Sequence, residues 1–449
     1  MLQIVIPMAG IGSRFAEYGF KSNKYLLPIN VLMEKMIEKA IISLNVYIQC
    51  NYTFIIREEN GIDNELRYIL YDIAKKYNLS YQIVSVSKLT EGPASTVYEA
   101  REYLNASYPL LVSNSDQVLE WNFDKFYKHG LKYDGCVLTY KPDYKLTLGN
   151  KDKHSFIKLN EEGIVIKCTE KIVLSENALV GVHYFKSAQL FFDAYDYMID
   201  NNLRAPNGEF YLSLAYQAMI EQNRTVGYID IKNTDGFFYP VGEPDDYFRF
   251  LYHKGGYQKD IQSLQNNKVI FENDRLKVSY EIYMEKEFIK NRGLILVLEG
   301  EVNIDGKTLK QDGITSGDIY TNAISYIIHI DLSQNDKYSI LDRGQVWNLE
   351  DFTRGWFIGN FLPSIIKTSD FEIAKLHHYK DEKWPFHYHK EADEYNVLLK
   401  GTMLLNGQMI SANTIFIIHK NEIACPFFLE DCHVLCIKAP SSPKDKYII

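Results

Sequence analysis

The stretch MLQIVIPMAGIGSRF, residues 1–15, decides how the first half of this chain reads. Its apolar, β-branched run Ile4-Val5-Ile6 has the pattern of a buried strand. The strand runs into Ala9-Gly10-Ile11-Gly12-Ser13-Arg14, where glycines let the backbone come close to a polyphosphate and turn N–H groups toward its oxygens. Ten residues after Arg14 stands Lys24, followed by Tyr25-Leu26-Leu27-Pro28-Ile29, so two long cationic side chains accompany the loop. The loop lacks both the third glycine of a dinucleotide-binding fingerprint and the Gly-Lys-Ser/Thr of a P-loop, and those two readings recede.

Outward from that strand, short β-branched runs alternate with longer helical patterns: VLMEKMIEKAIISL (31–44), YTFIIR (52–57), NELRYILYDIAKKY (64–77) and YQIVSV (81–86). This alternation predicts a mostly parallel sheet with helices on both faces. The texture changes near residue 268. GLILVLEGEVNIDG (293–306), YIIHIDL (326–332), EYNVLLKGTMLLNG (394–407) and TIFIIHKNE (414–422) are short, β-rich and punctuated by Gly, Asn and Asp, as in a sandwich or barrel. LILVLEGEVNIDGKTL (294–309) and YNVLLKGTMLLNGQMI (395–410) read as copies of one hairpin, which suggests two tandem barrels. The polar segment HKGGYQKDIQSLQNNK (253–268) carries the boundary. The expected division is 1–255, then a linker and β region at 256–350, then a β domain at 351–449.

With 449 residues the chain exceeds the size at which one core stops growing. Its net charge of −9 excludes a protein that coats nucleic acid, so any nucleotide must meet a local basic cluster. No stretch approaches the roughly 18 apolar residues of a membrane span, and MLQIVIPMAG has no basic region ahead of its apolar run, which sets the expectation of a cytoplasmic protein without membrane partners. Six cysteines without a CxxC pair predict reduced, buried thiols.

Further along, SYPLLVSNSDQVLEW (107–121) puts Asp116 just beyond an apolar strand, where open α/β sheets gather their sites and where a carboxylate can hold Mg²⁺ against phosphate oxygens. The loop, Lys24 and Asp116 together resemble the sugar-phosphate nucleotidyltransferases, whose opening motif is GxGxR followed by a lysine in a segment like PK-x-LLPI. The resemblance implies a Rossmann-like, GT-A-type mixed sheet. It also implies that Arg14, Lys24 and Asp116 are catalytic, with Asp116 as the Mg²⁺ ligand, and that Ala9, Gly10, Gly12 and Ser13 bind the nucleotide. Glu91-Gly92-Pro93-Ala94-Ser95 resembles the family's base-reading loop, which implies nucleotide contacts at Gly92, Pro93 and Ala94. Glu170-Lys171, Gly181 and Glu209 of Asn207-Gly208-Glu209-Phe210-Tyr211 fall where the family contacts its acceptor. Two departures stand out. Asn23 replaces the family's proline, and Pro240 in FFYPVGEPDD (237–246) replaces a second Mg²⁺ aspartate, leaving Asp116 alone or with help from Glu243, Asp245 or Asp246.

The implied reaction joins a nucleoside monophosphate from a triphosphate to a sugar 1-phosphate or similar phosphorylated metabolite. Pyrophosphate is released, and the product serves capsule or surface-glycan synthesis. Its nucleophile is already ionised near neutral pH, so positioning and charge neutralisation dominate and no general base is needed.

The second constellation is His387-Tyr388-His389, four residues, Glu394, six residues, Gly401. Residues two apart on a strand face one side, so both imidazoles and Glu394 form a metal-ligand set for one divalent transition metal. The spacing resembles the first motif of the cupin barrels. Aligning TIFIIHKNEIAC (414–425) with the second motif puts Ala424 where a fourth histidine belongs, with Cys425 one residue away. EFIKNRGLILVLEGEVNIDG (287–306) resembles a cupin half without ligands. Homo-oligomer contacts through the cupin are a further expectation. A GT-A glycosyltransferase, a bifunctional isomerase and nucleotidyltransferase, and a non-catalytic nucleotide-sugar sensor stay open as alternatives.

Overall fold

Along the first strand, Leu2–Met8 (β1), successive side chains part to opposite faces: Val5 joins one hydrophobic cluster, while Ile4 and Ile6 join another. A strand apolar on both faces must be covered on both faces, and the computed structural model shows how. It describes residues 1–10, 12–58, 62–142, 154–256, 260–332, 342 and 344–449; Ile11 of the glycine loop and residues 257–259 of the boundary segment lie outside that set. By contacts the described residues divide into Met1–Leu251 and Tyr252–Ile449.

In the first unit β1 lies parallel to Cys50–Arg57 (β2), which is parallel to Tyr81–Val86 (β3). On its other side β1 is parallel to Leu110–Ser113 (β4). Gly135–Tyr140 (β5) and Val226–Asp230 (β7) form a further parallel pair, and Ala178–Phe185 (β6) runs antiparallel between β4 and β5. The order is therefore β3-β2-β1-β4-β6-β5-β7, a mixed sheet. Helices Met36–Ser43, Ile62–Tyr77 and Phe123–Gly130 pack on the face of Ile4 and Ile6, through Ile37, Ile41, Leu66, Leu70 and Phe126 among others. Helices Pro93–Tyr98, Ala188–Asp200 and Leu212–Glu221 cover the face of Val5, through Val97, Phe191 and Ala215. Because β1 and β4 are adjacent and parallel, their carboxyl ends lie side by side. The glycine loop and Asp116 are thereby brought together from distant parts of the chain.

The second unit is all β. Strands Lys268–Glu272, Lys277–Tyr283, Ser325–Asp331, Gly293–Glu299, Gly313–Thr315 and Val346–Asn348 form one six-stranded sheet, accompanied by a four-stranded one. Another six-stranded sheet runs in the order Asp260–Ser263, Thr414–Ile418, Asp393–Lys400, Cys432–Ala439, Glu372–His378, Trp356–Ile358, beside a three-stranded sheet. One hydrophobic cluster spans both sets, from Ile270, Val278 and Leu296 to Phe357, Val397 and Ile437. The strand just after the boundary, Asp260–Ser263, pairs with Thr414–Ile418 near the chain's end. All six cysteines are free. Among the described residues no helix is long and apolar enough to cross a membrane.

Candidate active site

In the first unit two depressions, of about 460 and 550 Å³, open over the carboxyl ends of β1 and β4. Ala9, Gly10, Gly12, Ser13, Lys24, Gly92, Pro93 and Glu209 line the first, and Glu170 and Gly181 line the second. Arg14, Asp116 and Lys171 belong to both, so the two lobes meet at three charged side chains. The local basic cluster demanded by an acidic chain is therefore Arg14, Lys24 and Lys171.

Each cation is held by a partner. Lys24 Nζ lies 2.6 Å from Asp116 Oδ2. Burial alone would push the Lys24 ammonium down and the Asp116 carboxyl up; their mutual attraction outweighs this and moves each the other way, so both stay charged. Arg14, 57% exposed, reaches Glu243 at 3.0 Å. Lys171 donates to the Tyr211 hydroxyl at 3.0 Å, and that hydroxyl donates to Glu209 at 2.6 Å. Asn23 accepts the Tyr25 N–H at 3.1 Å from a backbone at φ −58°, a conformation a proline would also adopt; the asparagine adds a cap without re-aiming Lys24.

The 91–95 segment is clipped to the 204–211 turn by Arg204–Glu91 at 2.9 Å and by the Ala94 N–H donating to Phe210 O at 3.0 Å. Gly92, at φ +123°, has no substitute here, since a Cβ would come within 2.5 Å of that same carbonyl. Ala94 is fully buried and lines neither lobe. Its small side chain is spent on packing beneath the loop, and Leu89, Thr90 and Thr96 share the wall with Gly92 and Pro93 instead.

Pro240 ends the strand Phe237–Pro240, which pairs antiparallel with Gln117–Glu120, and Pro240 sits opposite Gln117. Next comes Val241, whose N–H donates to Asp116 O at 3.1 Å, and then Gly242, where a Cβ would lie 2.8 Å from Asp116 Oδ2. Gly242 thus leaves room around the carboxylate, which sequence reading did not single out. Of the three acids offered as substitutes for the missing aspartate, Glu243 is paired with Arg14, Asp246 with Arg249 at 2.8 Å, and all three line only the second lobe.

In the second lobe the Glu170 carboxylate accepts from Ser155 and, at 2.8 Å, from Ser213, while burial holds its proton affinity above the usual carboxylate range. Gly181 is tied through its N–H and C=O to the Gln117 side chain at 3.1 and 2.8 Å. His183 is buried there, its Nδ1 has no hydrogen-bond partner among the described residues, and burial pushes its pKa down to about 3. Unfolded, it takes a proton below about pH 6.5, so stability is full above that value and is lost as pH falls toward 3, by about 1.4 kcal/mol per pH unit. His183→Gln is expected to flatten unfolding free energy against pH between about 6 and 4. Identical slopes in the two proteins would show that His183 does not carry the linkage.

The second constellation lies in a separate cavity of about 430 Å³ wholly within the second unit. His387, His389 and Glu394 all line it, yet among the described residues no three His, Cys, Asp or Glu side chains are arranged to hold a metal ion. The three expected ligands are instead engaged by their neighbours. The Lys438 ammonium lies 2.7 Å from Glu394 Oε1, and His389 Nε2 lies 3.0 Å from the same oxygen. His389 Nδ1 meets the Asp445 carbonyl, an acceptor only, so Nδ1 donates to it. Asp445 itself accepts the backbone N–H groups of Lys390, Glu391 and Ala392 at 2.9 to 3.0 Å, which fixes the strand end that carries His389. Cys425 turns its thiol to Trp384 O at 3.3 Å and is absent from the cavity wall. A protein cation thus stands on the Glu394 carboxylate.

No protein-family model matches the chain, and no curated protein does. Among solved structures it is similar to the nucleoside-diphosphate-sugar pyrophosphorylase from Vibrio cholerae RC9, at 24% identity and TM-score 0.46 over 55% of this chain and 99% of that one. It is also similar to the inositol-1-phosphate CTP transferase from T. maritima, at 14% identity and TM-score 0.42 over 55% and 94%. A third is the UTP-bound UGPase from Acinetobacter baumannii, at 16% identity and TM-score 0.41 over 56% and 92%.

Proposed function

We propose that residues 1–255 are a nucleotidyltransferase that joins a nucleoside monophosphate to a phosphorylated acceptor, with a sugar 1-phosphate as the favoured class, and releases pyrophosphate. The observation that carries this is the pair of lobes meeting at Arg14, Asp116 and Lys171. One lobe has the glycine loop and a base-sized wall at Thr90, Gly92 and Pro93. The other has the acid, hydroxyl and aromatic groups suited to a polyol: Glu170, Tyr140, His154 and Tyr211. An acceptor phosphate between them would face an α-phosphorus across the cationic junction, where transfer needs alignment and charge neutralisation rather than a base.

Mg²⁺ fits this donor set, because the ion commonly takes one or two carboxylates and completes its shell with phosphates and water. Asp116 would hold it, ionised and sharing its carboxylate between the ion and Lys24. When bound, the ion neutralises developing charge on the phosphates. The chain's own contribution is to hold Lys24 and Arg14 beside the phosphates and Lys171 beside the acceptor. The second unit we read as two cupin-like halves, the first without ligand residues. The test is pyrophosphate release from four nucleoside triphosphates against sugar 1-phosphates, polyol phosphates and choline phosphate. Release with one nucleotide and a sugar 1-phosphate is expected. Sugar transfer without pyrophosphate would replace this reading with a glycosyltransferase.

A further inference from the structure

The cavity of the second unit has a floor, a middle and a rim of different chemistry. Its floor is apolar and buried, built by Met403, Phe416, Ile418, Phe428 and Val434. In the middle, charges are balanced: Glu394 is met by Lys438 and His389, and Lys438 also lies 3.9 Å from Glu372. At the rim they are not balanced. Arg354 and Lys446 both lie against the Trp384 ring, at 5.2 and 3.4 Å from its centroid, and among the described residues neither makes an ion pair.

The carboxylate nearest to that indole, Glu382, is already engaged. It accepts from Trp384 Nε1 at 2.7 Å and from the Tyr379 N–H at 3.1 Å, and it lies 3.2 Å from His378 Nδ1. Trp384 is thus fixed by a second set of contacts, and two cations lie against its ring at the cavity wall. Burial is the chief reason that the Lys446 ammonium comes down to about 8; Glu394 pulls it up, and Lys438 and Arg354 add smaller repulsions. Two neighbouring cations without a carboxylate, at the mouth of a cavity whose volume suits a small metabolite, lack an anion.

We infer that this cavity is a metal-independent binding site for a small anionic metabolite. Its phosphate or carboxylate sits between Arg354 and Lys446, and its hydroxyl-bearing body reaches the Glu394, His389 and Lys438 cluster. Lys438 supplies the positive charge that a metal would otherwise bring to Glu394, so the site needs no ion to be complete. The inference is independent of the reaction assigned to the first unit.

The experiment is calorimetric titration of the full chain carrying Arg14→Met and Lys24→Met, which removes two cations of the first unit from the readout. The probes are glucose 6-phosphate, glucuronate and glucose, with and without EDTA. Both acids are expected to bind, glucose far more weakly, and EDTA to change nothing. Adding Arg354→Met with Lys446→Met is expected to weaken the acids roughly tenfold or more. Lys446→Arg should keep the affinity that Lys446→Gln loses, a comparison between two single substitutions that stays informative if the double variant unfolds. Failure of both acids to bind overturns the inference. So does equal binding of glucose, binding that requires added Zn²⁺ or Mn²⁺, or affinity indifferent to the Lys446 substitutions.

Discussion

Asp116→Asn and Lys24→Ala are each expected to lower pyrophosphate release about a hundredfold or more, since one preorganised electrostatic contact to a transition state is worth roughly 3 kcal/mol. The two residues form one unit, 2.6 Å apart at the junction of the lobes. Their effects are therefore expected to be less than additive in the double variant. Loss of either also strands the other as a buried charge, so circular dichroism and thermal melting belong beside the kinetics. Each variant should stay folded, because the pair lies on the sheet's open end and outside both hydrophobic clusters. Near-normal turnover in either variant would remove that residue from the reaction.

The largest expected effect on stability is that of Lys438→Met. Its ammonium serves Glu394, 8% exposed, and Glu372, 4% exposed. Removing one partner of a buried ionic cluster costs about 3 to 5 kcal/mol, chiefly because the remaining charge has lost both water and its partner. Glu394 is affected most, since against the penalty of burial Lys438 and His389 hold its carboxyl well below the usual carboxylate range. Urea unfolding followed by tryptophan fluorescence reads this directly, as three of the four tryptophans, Trp347, Trp356 and Trp384, lie in the second unit. Adding Glu394→Gln to Lys438→Met should restore part of the loss. A change below about 1 kcal/mol would mean that water already reaches the cluster.

How much of this was legible beforehand depends on the range of the interactions. Glycine spacing and the alternation of Ile4, Val5 and Ile6 are local facts, and they announced the loop, the strand and the two-faced sheet. Arg14, Lys24 and Asp116 were legible as charges beside a glycine loop and a strand end, and they line one depression. Gly242 was not, since its use is to leave space beside Asp116, and a missing Cβ has meaning only when the neighbour is known.

By itself, then, the sequence determined what periodicity and backbone freedom determine: an α/β half with a glycine loop after its first strand, and an all-β half; of the two imidazoles only His387 falls in a strand, His387–Tyr388. Tertiary structure alone decided which charges meet. Lys24 finds Asp116 across 92 residues, and Lys438 comes to Glu394 because their strands, Asp393–Lys400 and Cys432–Ala439, pair with those two residues in register. A motif's spacing specifies where side chains point, but the cation that answers a carboxylate is set by the neighbouring strand. In a low-dielectric interior the nearest available charge takes the place, and here it is a lysine.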